Sequence, residues 1–265
     1  MKIREFIFVP LFLFSFISLT HANDSPLDRA HAHNDYNQRR PLFDALDHRF
    51  CSIEADIYLT NGQLLVAHNL KDVQPSGSLE KLYLNPLLEQ VRKNGGRVYR
   101  DGPPVILLID VKSDAPTTYS ALREVLKNYA GMLTKFDHGK IVTNAVTVVI
   151  SGNRATEIIA KEKVRYAACD GGIDDLESGK PPGLFPLISA EWKKHFQWKG
   201  VGPITVEEKS RLRGIVEKTH GQGRRLRFWG TPDLPEFWRA LFDANVDLIG
   251  ADDLDKLEKF LRSPH

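Results

Sequence analysis

The sequence predicts an α/β fold, a (β/α)8 TIM barrel, and three observations carry that expectation. Short β-rich runs alternate with stretches of helical periodicity along nearly the whole chain, which implies parallel strands joined by crossover helices. Eight such runs can be counted, and eight is the number that closes a barrel. No Gly-rich phosphate loop follows the first run, as it would in a doubly wound dinucleotide-binding sheet, the open-sheet alternative to the barrel. The expected strands are Leu27 to Ala32, Ser52 to Tyr58, Val105 to Val111, Val146 to Ile150, Arg165 to Ala168, Leu187 to Ser189, Leu226 to Trp229 and Val246 to Ile249. Between them, Leu79-Leu82-Leu84-Leu87-Leu88-Val91 and Tyr119-Leu122-Val125-Leu126-Tyr129 recur at helical spacing, and Thr205-Val206-Glu207-Glu208 reads as a capping box that opens a further helix.

The first 22 residues have a different character. Lys2 and Arg4 precede an apolar run from Phe6 to Leu19 and small residues around Ala22, the layout of an export signal with cleavage expected after Ala22. Pro10 interrupts the run, which is shorter than the roughly 20 apolar residues of a membrane span. The expectation is an exported chain, periplasmic or secreted, with a signal peptide at 1–22, a single barrel domain over 23–265 and no stable membrane insertion once the signal is removed.

Of 265 residues, 42% are hydrophobic and 26% charged, enough apolar material for one large core. A net charge of +2 made of mixed signs speaks against nucleic acid as a partner. The basic run Gly223-Arg224-Arg225-Leu226-Arg227 reads as the start of a strand with solvated ends rather than a polyanion site. Cys51 and Cys169 fall at opposite ends of the expected barrel, too far apart for a bridge, and are read as two buried thiols.

The chemistry collects on alternate residues of three strands. Side chains two apart point the same way in a strand. His31 and His33 therefore share a face, as do Glu54 and Asp56, and Asp110 and Lys112. Each pair is expected near the carboxyl end of its strand, where barrel enzymes place their reactive groups. Carboxylates inside the apolar runs Ser-Ile-Glu-Ala-Asp-Ile and Leu-Leu-Ile-Asp-Val-Lys must be neutralised, because an unpaired buried charge costs several kcal/mol. Glu54, Asp56 and Asp110 together make a hard oxygen cage suited to a divalent metal, Mg²⁺ or Ca²⁺. Ion pairing of Asp110 with Lys112 at the rim is the plainer account of that pair. His68 follows the hairpin Gly62 to Ala67 and is expected to return to the same mouth. Trp229, at the end of the seventh run, either packs over a substrate or caps the core. Ser151 and Asn153 serve equally as substrate contacts or as turn residues.

These residues carry a resemblance. His-Asn-Asp-Tyr, Ser-Ile-Glu-Ala-Asp-Ile, Leu-Leu-Val-Ala-His and Leu-Leu-Ile-Asp-Val-Lys resemble the phospholipase-C-like phosphodiesterases, the superfamily of glycerophosphodiester phosphodiesterases and spider sphingomyelinase D. Pro41 to Leu46, Leu82 to Leu87, Arg227-Phe228-Trp229-Gly230 and Asp252-Asp253-Leu254 are similar to a branch of it, the altered-inheritance-of-mitochondria proteins of fungi and their bacterial relatives. The resemblance spans roughly Ala30 to Leu254. It implies a phosphoric diester hydrolase, or a lyase forming a cyclic phosphate, acting on a small-molecule or lipid phosphodiester. It also implies His33 and His68 as an acid/base pair, Glu54, Asp56 and Asp110 as metal ligands, and Lys112 as a phosphate contact. Glycerophosphodiesterases place His-Arg-Gly after the first strand. Here two histidines compete for that position; His33 is nearer the strand end and is taken as catalytic, with His31 on the floor touching phosphate or metal.

Two other functions fit parts of the pattern. His31-Ala-His33 is also the His-x-His of metal-dependent amidohydrolase barrels, with Asp252 completing the site, but that leaves Glu54, Asp56 and His68 unexplained. A non-catalytic barrel that captures a phosphorylated headgroup is the second.

Overall fold

The computed structural model describes residues 25–74 and 77–264, so the expected signal segment lies outside the described residues. Twelve strands are present among them: β1 (Leu27–Ala32), β2 (Phe50–Thr60), β3 (Gln63–Val66), β4 (Val105–Val111), β5 (Lys135–Asp137), β6 (Lys140–Val142), β7 (Val146–Gly152), β8 (Val164–Arg165), β9 (Ala167–Gly171), β10 (Leu187–Glu191), β11 (Arg225–Trp229) and β12 (Ile249–Ala251). The helices are α1 (Phe43–Asp47), α2 (Asn85–Lys93), α3 (Ala115–Lys127), α4 (Thr156–Lys161), α5 (Trp192–His195), α6 (Val206–Gly221), α7 (Pro235–Asp243) and α8 (Leu254–Arg262). None of them is long and apolar enough to cross a membrane.

Eight strands pair in parallel in the order β11-β10-β9-β7-β4-β2-β1-β12. The two ends of this path meet at an isolated parallel bridge between Arg227 and Leu248, so the sheet is a nearly closed barrel. β3 hairpins back on β2, while β5, β6 and β8 form a separate small sheet. The turn of the β5–β6 hairpin puts both His138 (φ 49°) and Gly139 (φ 82°) in left-handed backbone, as the tightest hairpin turns require.

The core divides into two parts for a simple reason of parity. Outward residues such as Ile53, Ala55, Leu107 and Ile109 pack under the helices in one large cluster. Inside the barrel, Ile106, Leu108, Val149, Leu187 and Leu248 form a small separate plug. Register then dictates what lies above the plug. Asp56 pairs with Asp110 and Asp110 with Ser151, two residues beyond Leu108 and Val149, so these polar side chains face the interior at the mouth.

Several expected boundaries move. The last strand begins at Ile249 rather than Val246, because Asn245 (φ 65°) ends α7 and the Val246 N–H bonds back to Leu241 O at 3.0 Å. Val246 thus closes a helix instead of opening the ladder. The fifth barrel strand starts at Ala167, since Val164–Arg165 pairs with β5 outside the barrel. Pro86 lies within the expected helix from Leu79 to Val91, and a π-turn over Glu80–Leu84 accommodates its missing N–H before α2 continues. Thr205 caps α6 through the Glu208 N–H, but the Glu208 carboxylate accepts instead from the Gln197 and Trp198 N–H groups, so only half of the capping box forms. Cys51 and Cys169 are both buried free thiols.

Candidate active site

A cavity of about 570 Å³ opens at the carboxyl ends of the barrel strands. His33, Glu54, His68, Asp110 and Lys112 line one wall; Asp170, Ser189, Arg227 and Trp229 line the other. β2 supplies Glu54 and Asp56 from its middle, because it runs on past the barrel into the β3 hairpin that delivers His68.

Glu54, Asp56 and Asp110 each offer an oxygen, and the three oxygens lie within 4.8 Å of one another. Two of the carboxylates gather their protein partners on a single oxygen. Glu54 Oε2 accepts from His31 Nε2 at 2.9 Å and from the Arg227 guanidinium at 2.6 Å. Asp56 Oδ2 meets Tyr36 OH at 2.8 Å, His68 Nδ1 at 2.9 Å and Lys112 Nζ at 3.0 Å. Asp56 Oδ1 is buried and has no hydrogen-bond partner. Asp110 is held by Lys112 at 2.9 Å and by the Ser151 hydroxyl at 3.2 Å. An orphaned carboxylate oxygen among three hard donors fits a divalent cation of the Mg²⁺ or Ca²⁺ type.

The charges are consistent with that fit. Burial would raise the Glu54 carboxyl, but Arg227 and His31 outweigh it and hold Glu54 well below the usual range. Burial raises Asp110 despite Lys112. Burial would lower Lys112, and Asp110 and Asp56 hold it above its ordinary value instead. Burial, helped by Arg227, lowers His31 to about 4, so this ring is neutral near pH 7. Three carboxylates against Lys112 and Arg227 leave one net negative charge, which a divalent cation converts to one net positive charge facing the cavity.

The three histidines are set differently by their partners. His31 has no exposure, and both of its ring nitrogens are spent, Nδ1 on Ser52 Oγ and Nε2 on Glu54. The expectation that His31 touches phosphate or metal is therefore corrected: it lies on the floor, but beneath Glu54, bracing a carboxylate. His33 Nδ1 bonds Asp252 at 2.8 Å and His68 Nδ1 bonds Asp56 at 2.9 Å. A carboxylate accepts only, so each ring presents Nδ1–H to it and leaves Nε2 as the basic nitrogen. Trp229 stands at the cavity edge, 40% exposed. Asn153 faces away, donating to the Lys112 and Ser113 carbonyls.

Arg227, Asp170 and Tyr36 belong to the site although the sequence alone did not single them out. Arg227 was expected at the start of a strand and was given no role; its register with Ser189 turns it into the barrel, where it is 5% exposed. Arg224 is buried too, donating to the Asp175 and Lys180 carbonyls. Asp170 is buried with Oδ1 unpartnered, and burial pushes its carboxyl up to about 7. Tyr36 reaches Asp56 and His68 from the turn after β1.

Fold and site together define a barrel with a cluster of three carboxylates and two carboxylate-held histidines at its mouth. The chain belongs to the AIM6-like phosphodiesterase domain family, whose model matches residues 23–170. It is 30% identical over 270 residues to the altered inheritance of mitochondria protein 6 of Eremothecium gossypii, covering 88% of this chain and 69% of that one. The Saccharomyces cerevisiae protein of that name is 30% identical over 268 residues, covering 84% and 68%. The fold is also that of a calcium-dependent phosphoinositol-specific phospholipase C from a Pseudomonas species, with a TM-score of 0.56 and 14% identity over 88% of this chain and 92% of that one. A glycerophosphodiester phosphodiesterase from Parabacteroides distasonis gives a TM-score of 0.53 and 15% identity over 88% and 97%.

Proposed function

We propose that this chain is an exported, divalent-cation-dependent phosphodiesterase that cleaves a glycerophosphodiester or phospholipid-type P–O bond, with His33 and His68 as its acid/base pair. One observation carries the reading: two histidines, each with Nδ1 on a carboxylate and Nε2 available, share a cavity with an acidic cage whose Asp56 Oδ1 lacks a partner.

A bound Mg²⁺ or Ca²⁺ supplies positive charge to phosphoryl oxygens, whose repulsion otherwise protects a diester from attack. Lys112 adds a second cation on the same wall and contacts the phosphate. One histidine Nε2 takes the proton of the attacking hydroxyl, and the other delivers a proton to the departing alkoxide. Attack by a neighbouring substrate hydroxyl yields a cyclic phosphate, and attack by water yields direct hydrolysis. Trp229 offers an apolar face to the alcohol portion. The amidohydrolase alternative loses its first ligand, because His31 has both nitrogens engaged.

The test is turnover of bis(p-nitrophenyl) phosphate by the chain from Asn23 onward, with EDTA and with each divalent cation restored, beside His68→Ala and Glu54→Ala. Cation-dependent turnover that His68→Ala lowers by about 10²- to 10⁴-fold is expected. A folded chain that turns over no diester with any cation, yet binds phosphorylated headgroups in calorimetry, would be a binding protein instead. Export is tested by fractionating cells that express the full chain: a cytoplasmic, uncleaved product would remove it.

A further inference from the structure

His33 apart, the His-Asn-Asp-Tyr segment has no role in this scheme. Asn34 takes left-handed backbone (φ 47°, ψ 45°) and turns the chain into a single 3-10 turn, Asp35–Asn37. Asp35 has no exposure and anchors that turn: its Oδ2 accepts from the Leu42 N–H at 2.5 Å and from the Tyr83 hydroxyl at 2.9 Å. The anchored turn aims the Tyr36 phenol at Asp56. Its oxygen is 2.5 Å from the Asn34 side-chain oxygen, 2.8 Å from Asp56 Oδ2 and 3.3 Å from His68 Nδ1; the phenol has one proton for the two oxygens, and the charged Asp56 carboxylate is the stronger acceptor. An ordinary phenol keeps its proton near neutral pH, so the hydroxyl is a donor to the carboxylate.

We infer that Tyr36 is a positioning residue: with Lys112 and His68 it saturates Asp56 Oδ2, which reserves Oδ1 for the cation and keeps His68 Nε2 turned to the cavity. The inference rests on the cage reading above. A carboxylate with one oxygen occupied by three donors cannot exchange its two oxygens by rotation without breaking all three bonds. Without the phenol, the carboxylate is freer to turn, and the cation and His68 lose a fixed partner together. Groups of this kind, one step behind a metal ligand, typically alter metal affinity or activity by about 10- to 100-fold when removed.

The experiment uses Tyr36→Phe, which keeps the ring and deletes only the hydroxyl. Calorimetric titration of the cation-free chain with Mg²⁺ or Ca²⁺ should show binding weakened by about 10- to 100-fold, with kcat for bis(p-nitrophenyl) phosphate reduced and KM little changed. Tyr58→Phe is the comparison, because among the described residues the Tyr58 hydroxyl reaches only the His68 backbone carbonyl, at 3.3 Å. It should leave the titration unchanged, and equal weakening by both variants would overturn the inference. So would a cation bound equally well by the wild type and Tyr36→Phe. A wild-type chain that binds no divalent cation overturns the cage reading, and this inference with it. Should Tyr36→Phe not fold, the ¹⁵N spectrum of the cation-loaded wild type decides: His68 is expected as the Nδ1–H tautomer, and an Nε2–H tautomer refutes the arrangement.

Discussion

Asp35 offers a sharp test of how the turn beside the site is held. Burial pushes its carboxyl from 3.8 up to about 6, outweighing the bonds from Leu42 and Tyr83. Between those two values the folded chain retains a proton that the unfolded chain releases. Asp35 therefore contributes stability that is fully present below pH 3.8 and is lost as pH rises through about 6. At 1.36 kcal/mol per pKa unit, the whole contribution is about 3 kcal/mol. Asp35→Asn keeps an oxygen for Leu42 and Tyr83 and cannot ionise. Urea unfolding of wild type and variant at pH 4.5 and pH 6.5 isolates this one group from every other titration. The stability of the wild type minus that of the variant should fall by about 2 kcal/mol between the two pH values. A difference that holds constant to within about 0.5 kcal/mol, or that rises, would show that the folded carboxyl titrates normally and that the turn is anchored by other means.

Other perturbations probe the cage and the opposite wall. Gly152 has φ 66°, and a Cβ there would overlap the Asp110 carboxylate. Gly152→Ala should displace Asp110 and weaken cation binding while melting shows a folded chain; an unchanged titration would free Asp110 from the cage. Arg227→Met leaves Glu54 buried against a neutral His31, which should cost about 3–5 kcal/mol. At about 2–4 °C per kcal/mol for a domain of this size, melting should drop by roughly 6–20 °C, with part regained on adding Mg²⁺ or Ca²⁺. A drop equivalent to under about 1 kcal/mol would mean that the pair contributes little. Asp170→Asn should raise KM for diesters whose alcohol bears hydroxyls more than for bis(p-nitrophenyl) phosphate, which has none; equal effects would place Asp170 outside substrate contact.

The barrel was legible because strands such as β4 and β7 announce themselves locally as β-branched runs cut off by turns, and the alternation with helical spacing supplies the weaker ones. The cage was legible for the same reason: Glu54-x-Asp56 needs only period-two alternation to put both acids on one face. What escaped detection depends on closure of the barrel. Arg227 meets Glu54 across 173 residues, and nothing in Arg224-Arg225-Leu226-Arg227 says which arginine turns inward until Ser189 and Leu248 fix its register. The spacing puts His31 and His33 on one face, yet His31 is the last inward residue of β1, sealed beneath Glu54, and His33 stands one residue past the strand end at the rim, a difference that spacing does not encode. Val246 looked like a strand residue on propensity, and the end of α7 claimed it first.

β2 is held on three sides, by β1, β4 and β3, and its inward residues Ser52, Glu54 and Asp56 alternate with Cys51, Ile53, Ala55 and Ile57 beneath the helices. An insertion or deletion of one residue ahead of Glu54 would exchange the two sets, driving both acids into the apolar shell and lining the mouth with alanine and isoleucine. The strand is thus closed to changes of length, however freely individual side chains vary. Evolutionary latitude in a chain built this way belongs to the segments after the strands. There a loop can lengthen, shorten or change its charge and so alter what the cavity admits, while the spacing of the two acids stays as it is.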